Sequence, residues 1–154
     1  MSTHLTRRTL GSLAAVAALT AALLGTGAVQ APAAHADACT GTSGVTVVVD
    51  FTALGGDIET GCAPGTPTDG LAALTGAGFT YAFHPRFPGF VCQINVQPNP
   101  CNGAPASAYW SYWHAQHGGA WSYSSVGAGG YHPAAGDVEG WAFGAGAQPG
   151  ITAP

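Results

Sequence analysis

Apolar and polar positions alternate with period two in several short runs along this chain, and with period 3.6 in one. The run Val45-Thr46-Val47-Val48-Val49-Asp50-Phe51 is rich in β-branched residues and predicts a strand. A turn-rich stretch, "TALGGDIETGCAPGTP", follows and reads as a long loop. Thr68 then stands as N-cap to a helix over Asp69–Ala77, with Leu71 and Leu74 on one side and Gly78 available to end it. Further strands are expected at Phe79–Phe83, Phe90–Asn95, Tyr109–Ala115, Ala120–Ser124 and Val138–Phe143, between Pro, Gly and Asn punctuation. The tail after Gly144 shows neither period and reads as a flexible end. Five or six short strands with one short helix describe a small α+β domain.

The N-terminus changes the picture of where the chain works. Arg7 and Arg8 precede an apolar run, Leu13–Leu24, which is too short for the roughly 20 residues of a membrane span and is followed by Ala34-His35-Ala36. This predicts a signal peptide over residues 1–36 and an exported chain from Asp37, with no membrane-inserted segment once it is removed. The arginine pair leaves both the general and the twin-arginine export routes open. All four cysteines, Cys39, Cys62, Cys92 and Cys101, lie in the exported part, and an even count there reads as two disulfides. Of the three possible connectivities, Cys39–Cys62 with Cys92–Cys101 is favoured because each pair brackets a Gly/Pro-rich loop. The spacings do not supply the close pairs of a four-cysteine zinc site.

Beyond residue 36 there is no lysine and a single arginine, Arg86, against seven carboxylates, which leaves six net negative charges. Binding to nucleic acid needs a basic footprint that this composition does not provide. The histidines His84, His114, His117 and His132 include one His-x-x-His spacing, but no carboxylate lies close by in sequence. Hydrogen bonding at a turn is the expected role, and neither a metal nor a cofactor is expected. Asp137 and Glu139 share a strand face, yet paired catalytic carboxylates must flank a bond from two sides, which adjacent positions do not ensure. With no nucleophile elbow and no phosphate-cradling loop, the chain reads as non-enzymatic.

The richest chemistry is the stretch "YWSYWHAQHGGAWSY", with six aromatic rings between Tyr109 and Tyr123. Read as a hairpin turning at Gln116–Gly119, it sends Trp110 and Tyr112 to one face and Tyr109 and Trp113 to the other. Alternation sets the pairing but not its phase, and the inward face is assigned to Trp110 and Tyr112. One short helix covers one face of a sheet, so the surplus rings point to a ligand surface. Tyr109, Trp110, Tyr112, Trp113, Trp121 and Tyr123, with Tyr131 and Trp141 from the following segment, are the candidate ligand-binding residues.

The succession "GVTVVVDF", "TDGLAALTGAGF", "FVCQIN", "AYWSYWHA", "GAWSYSSVGA" and "GDVEGWAFG", covering about Gly44–Gly144, resembles the domain family related to the C-terminal domain of transcobalamin and intrinsic factor. Its most telling parts are the Tyr-Trp-x-Tyr-Trp strand and the closing Gly-Asp-x-x-x-Trp-x-Phe. The resemblance implies a β-grasp-like fold over residues 44–144, preceded by a short segment at 37–43, and a corrinoid as the small-molecule ligand. The alternative is a structural or interaction module that docks a membrane transporter component or another secreted chain. The intact mass of exported protein tests the leader and the cysteines together: it should correspond to a start at Asp37 with all four cysteines oxidised, and a retained leader or an added lipid would contradict this.

Overall fold

The computed structural model describes residues 37–101 and 105–154, so the expected signal peptide lies outside the described residues. The described residues form seven strands and one α-helix: β1 (Gly44–Asp50), β2 (Ile58–Pro64), α1 (Gly70–Gly76), β3 (Tyr81–His84), β4 (Phe87–Ile94), β5 (Tyr109–Gln116), β6 (Ser122–Tyr123) and β7 (Asp137–Gly144). Five strands form one sheet in the order β2-β1-β7-β5-β6, while β3 and β4 pair separately. The first and last strands run parallel at the centre of the sheet, and the other pairs are antiparallel. This is the expected α+β, β-grasp-like arrangement. A parallel pair needs a long crossover, and everything from β2 to β6 serves as that connection.

Strand β2 is the element that the loop reading passes over. It pairs with β1 along its whole length, Asp50 opposite Ile58 through Gly44 opposite Pro64. A Cβ at Gly61 would collide with the Ala77 carbonyl, so this glycine lets the end of α1 lie directly on the strand. The helix itself is capped by Asp69 rather than Thr68. Asp69 Oδ1 accepts from Ala72 N at 2.8 Å, and the Thr68 hydroxyl donates to Asp69 Oδ2. The disulfides are Cys39–Cys62 and Cys92–Cys101, as the loop argument favours. The first ties the segment 37–43 to β2.

The main core lies between one face of the sheet and the layer made by α1 and the β3–β4 hairpin. Val45, Val47, Val49, Phe51, Leu74, Phe79, Ile94, Trp110, Tyr112 and Trp141 are all buried there. Because the rest of the core is valine and alanine, the aromatic rings supply much of its buried area. Phe51 and Phe143 both meet Trp110 nearly edge-on, at 5.2 and 5.4 Å between centroids. The inward phase expected for Trp110 and Tyr112 is the observed one.

The opposite face carries Val48, Ala115, Trp121 and Val138, and what covers it is the segment after Gly144. Expected as a flexible end, this tail instead packs back across the sheet. Ala153 is buried and Ile151 partly so. Its backbone is held at four points: Trp121 Nε1 donates to Ile151 O at 2.7 Å, Gly118 N to Ala153 O at 2.9 Å, Ser111 Oγ to Ala147 O at 3.2 Å, and Gly150 N to Asp50 Oδ2 at 2.8 Å. Pro149 and Trp121 lie so close to Gly140 that a Cβ there would sit 2.7 Å from both side chains. The apolar contacts missing from the sequence pattern are thus provided by a segment with no regular structure. Deleting Gln148–Pro154 should uncover this face and cost about 2–4 kcal/mol, read from urea unfolding curves. Unfolding indistinguishable from the full domain would contradict the packed role of the tail.

Candidate functional site

A cleft of about 320 Å³ opens between β4, the β5–β6 hairpin and the loop after β6. Five of the eight candidate ligand residues line it: Tyr109, Trp110, Tyr112, Tyr123 and Trp141. Tyr109 and Tyr123 form its outer part, their hydroxyls 3.5 Å apart, and Tyr123 is 53% exposed. That contact pushes the Tyr123 phenol up from its ordinary value. Trp110, Tyr112 and Trp141 form the inner wall and belong to the core at the same time.

The other three candidates go elsewhere. Trp113 turns to the opposite sheet face, where it packs edge-on against Tyr123 at 5.0 Å and donates from Nε1 to Ser111 Oγ. Trp121 precedes the two-residue β6, not part of the strand expected from Ala120, and is buried under the tail. Tyr131 stacks on His114, with rings 4.5 Å apart and 6° from parallel, beside a separate pocket of about 270 Å³. Two parts of the cleft had no signal in the sequence. Gly89–Val91 of β4 and the loop Ser124–Ala128 come from segments readable as strand and turn, but only the packing of the hairpin layer against β5 brings them opposite the tyrosines.

The cleft lining is neutral: among the described residues it contains aromatic, aliphatic, serine and glycine side chains and no ionisable acid or base other than tyrosine. A buried acid lies directly behind it. Glu139 is completely buried on β7, and its Oε1 accepts the hydroxyl proton of Tyr112 in a short hydrogen bond, while Oε2 has no hydrogen-bond partner. Burial is the dominant influence, raising the carboxyl from 4.5 to about 7 against the lowering effect of the Tyr112 bond; Asp137 and Asp69 add repulsion. The same burial and the carboxylate beside it push the Tyr112 phenol up.

Four of the other titratable side chains have structural partners. Asp137 accepts from Gln116 Nε2 and from Ala134 N. Asp50 accepts from Thr52 and Gly150. His84 accepts from Arg86 N, and His132 Nδ1 meets the Thr68 carbonyl. No three His, Cys, Asp or Glu side chains converge among the described residues. No described helix is long and apolar enough to cross a membrane.

Compared with known proteins, residues 102–153 match a family model described as the SCO2322-like domain, about a third of the chain. The matched segment carries β5, β6, β7 and nearly all of the tail, so it includes both the aromatic wall of the cleft and the cover of the opposite face. No curated protein and no solved structure matches the chain.

The buried carboxyl gives a pH dependence with a defined sign. Its folded pKa lies above its unfolded value, so its contribution favours the fold fully below about pH 4.5 and is lost as pH rises through about 7. The loss is on the order of 3 kcal/mol. Glu139→Gln keeps an acceptor for Tyr112 and removes the titration. Between pH 4.5 and 8, unfolding free energies of the variant should therefore lack the decline seen in the parent domain, and parallel profiles would contradict the buried-carboxyl assignment.

Proposed function

We propose that the chain is an exported, non-enzymatic binding domain whose cleft takes a small, uncharged, flat or amphipathic molecule. The observation that carries this reading is the cleft itself, with five of the candidate aromatic rings converging on about 320 Å³ of space and no charged side chain in its lining. A concave, mostly apolar pocket of this size with a few polar groups at its edge is the usual form of a small-molecule site. The two disulfides are consistent with an oxidising, extracellular compartment. The engagement of Asp50 and Asp137 in structural hydrogen bonds supports binding over catalysis.

A corrinoid is the candidate ligand that the resemblance to the transcobalamin and intrinsic factor domain implies. In that case an edge or a peripheral amide group would enter the cleft, with the flat ring against the exposed Tyr123 at its mouth. A second reading rests on the cleft's border, where Tyr123 and Val126 are 53% and 49% exposed. Apolar groups left open in this way also suit the docking of another secreted chain or a transporter component.

Titration of cobalamin, cobinamide and neutral oligosaccharides, followed by tryptophan fluorescence, separates these readings because Trp110 and Trp141 line the cleft. Tyr123→Ala should leave the melting temperature nearly unchanged and weaken binding by about 1–2 kcal/mol. Trp110→Ala, by contrast, should cost about 3–5 kcal/mol of stability. Failure of all these ligands to bind would overturn the small-molecule reading in favour of the docking one.

A further inference from the structure

The β3–β4 hairpin stands apart from the five-stranded sheet and ends in Phe83-His84-Pro85-Arg86-Phe87-Pro88. Phe83 is 40% exposed and Phe87 56%. Pro85, Arg86 and Pro88 are also exposed. The turn is braced from within. His84 is buried, its ring lies 4.7 Å from that of Phe87, and its Nδ1 accepts from Arg86 N at 3.1 Å. At the base of the hairpin, Tyr81 packs on Phe83 at 5.2 Å. Two large apolar rings are therefore held outward on a preformed turn, with much of their surface open.

Charge identifies what they face. Arg86, between the two rings, is the only Lys or Arg beyond residue 36. All seven carboxylates lie outside Gly70–Gly136, so the hairpin and its neighbours in sequence carry no acid. Strand β2, which holds Glu59, is at the opposite edge of the sheet from the β5–β6 side on which the hairpin packs. An overall acidic domain thus presents one apolar tip carrying its one fixed positive charge. Aromatic rings favour the interface between lipid headgroups and acyl chains, and an arginine beside them meets the phosphates.

The geometry points to this tip as a peripheral lipid-surface anchor, with Phe83 and Phe87 entering the headgroup boundary and Arg86 on lipid phosphate. The contact is shallow and reversible, since two rings and one charge fall far short of a spanning element. It is independent of whether the cleft holds a small molecule, although it would keep a binding domain near the envelope from which a ligand is taken up.

Sedimentation of the domain from Asp37 onward with vesicles of phosphatidylcholine, with and without about a quarter phosphatidylglycerol, tests this at about 0.15 M salt, where a Debye length of about 8 Å screens the distant carboxylates but not an arginine at the lipid surface. The parent domain should partition onto both and favour the anionic vesicles. The double variant Phe83→Ser, Phe87→Ser should lower partitioning at least about tenfold on both. Arg86→Gln should remove most of the preference for phosphatidylglycerol. Phe87→Trp, which keeps an aromatic at the tip, should gain emission that brominated lipid quenches beyond the quenching of the parent domain. Three results would each overturn the assignment: a domain that stays in the supernatant with both vesicles, partitioning that survives loss of both phenylalanines, or a Phe87→Trp variant whose emission brominated lipid quenches no more than that of the parent. The first of these outcomes would leave the tip as a protein-docking surface.

Discussion

A sheet with apolar side chains on both faces has to be covered twice, and here only one seven-residue helix is available among the described residues to do it. Every residue of β1 is buried, and its valines are divided between the two cores. One face is closed by α1 and the β3–β4 hairpin, the other by a tail without regular structure. The rest of the arrangement follows from that division. Hydrogen bonds from Gly150 to Asp50 and from Trp121 to Ile151 satisfy polar groups that would otherwise be stranded where the tail crosses the sheet. With the second face occupied, the aromatic hairpin is free to use its other side and its edge.

That side joins stability to the candidate function through Tyr112. Its ring is packed against Trp141 at 4.8 Å, lines the cleft, and is held by a hydroxyl bond to Glu139. A buried carboxyl with one oxygen unpartnered is costly in an apolar interior and most costly when ionised. What it provides is orientation: a tyrosine anchored at its far end cannot swing into the cleft it lines. The inner wall is thus fixed by the core, while Tyr109 and Tyr123, held only at the edge of the sheet, form the accessible outer part. A neutral lining in front of a buried acid accepts uncharged groups and disfavours anions.

The sequence made the central elements legible because their periodicity is enforced by burial. Val45 to Val49, the Trp110 and Tyr112 alternation and the Cys pairings all follow from local pattern. What was hidden depended on contacts between distant segments. Strand β2 reads as a loop because Gly61 and Pro64 look like turn residues, yet Gly61 is there for the approach of α1. Thr68 and Asp69 are both competent caps, and only the geometry of the first turn selects Asp69. Trp121 reads as part of a strand and a ligand surface because nothing in "GAQPGITAP" announces a cover for it. Trp113 falls on the same face as Trp121, as the alternation along β5 requires, and Tyr131 lies beyond the two-residue β6, where no strand period reaches it.

The account rests on the tail being part of the fold, since without it the second face would be open and the aromatic surplus would have to be explained differently. Hydrogen exchange on the folded domain addresses this residue by residue. The amides of Gly118 and Gly150, bonded to Ala153 O and Asp50 Oδ2, should exchange as slowly as those of the β1 and β5 strands and be released only by global unfolding. Exchange of Gly118 and Gly150 at the rate of a free chain, with β1 and β5 still protected, would contradict it.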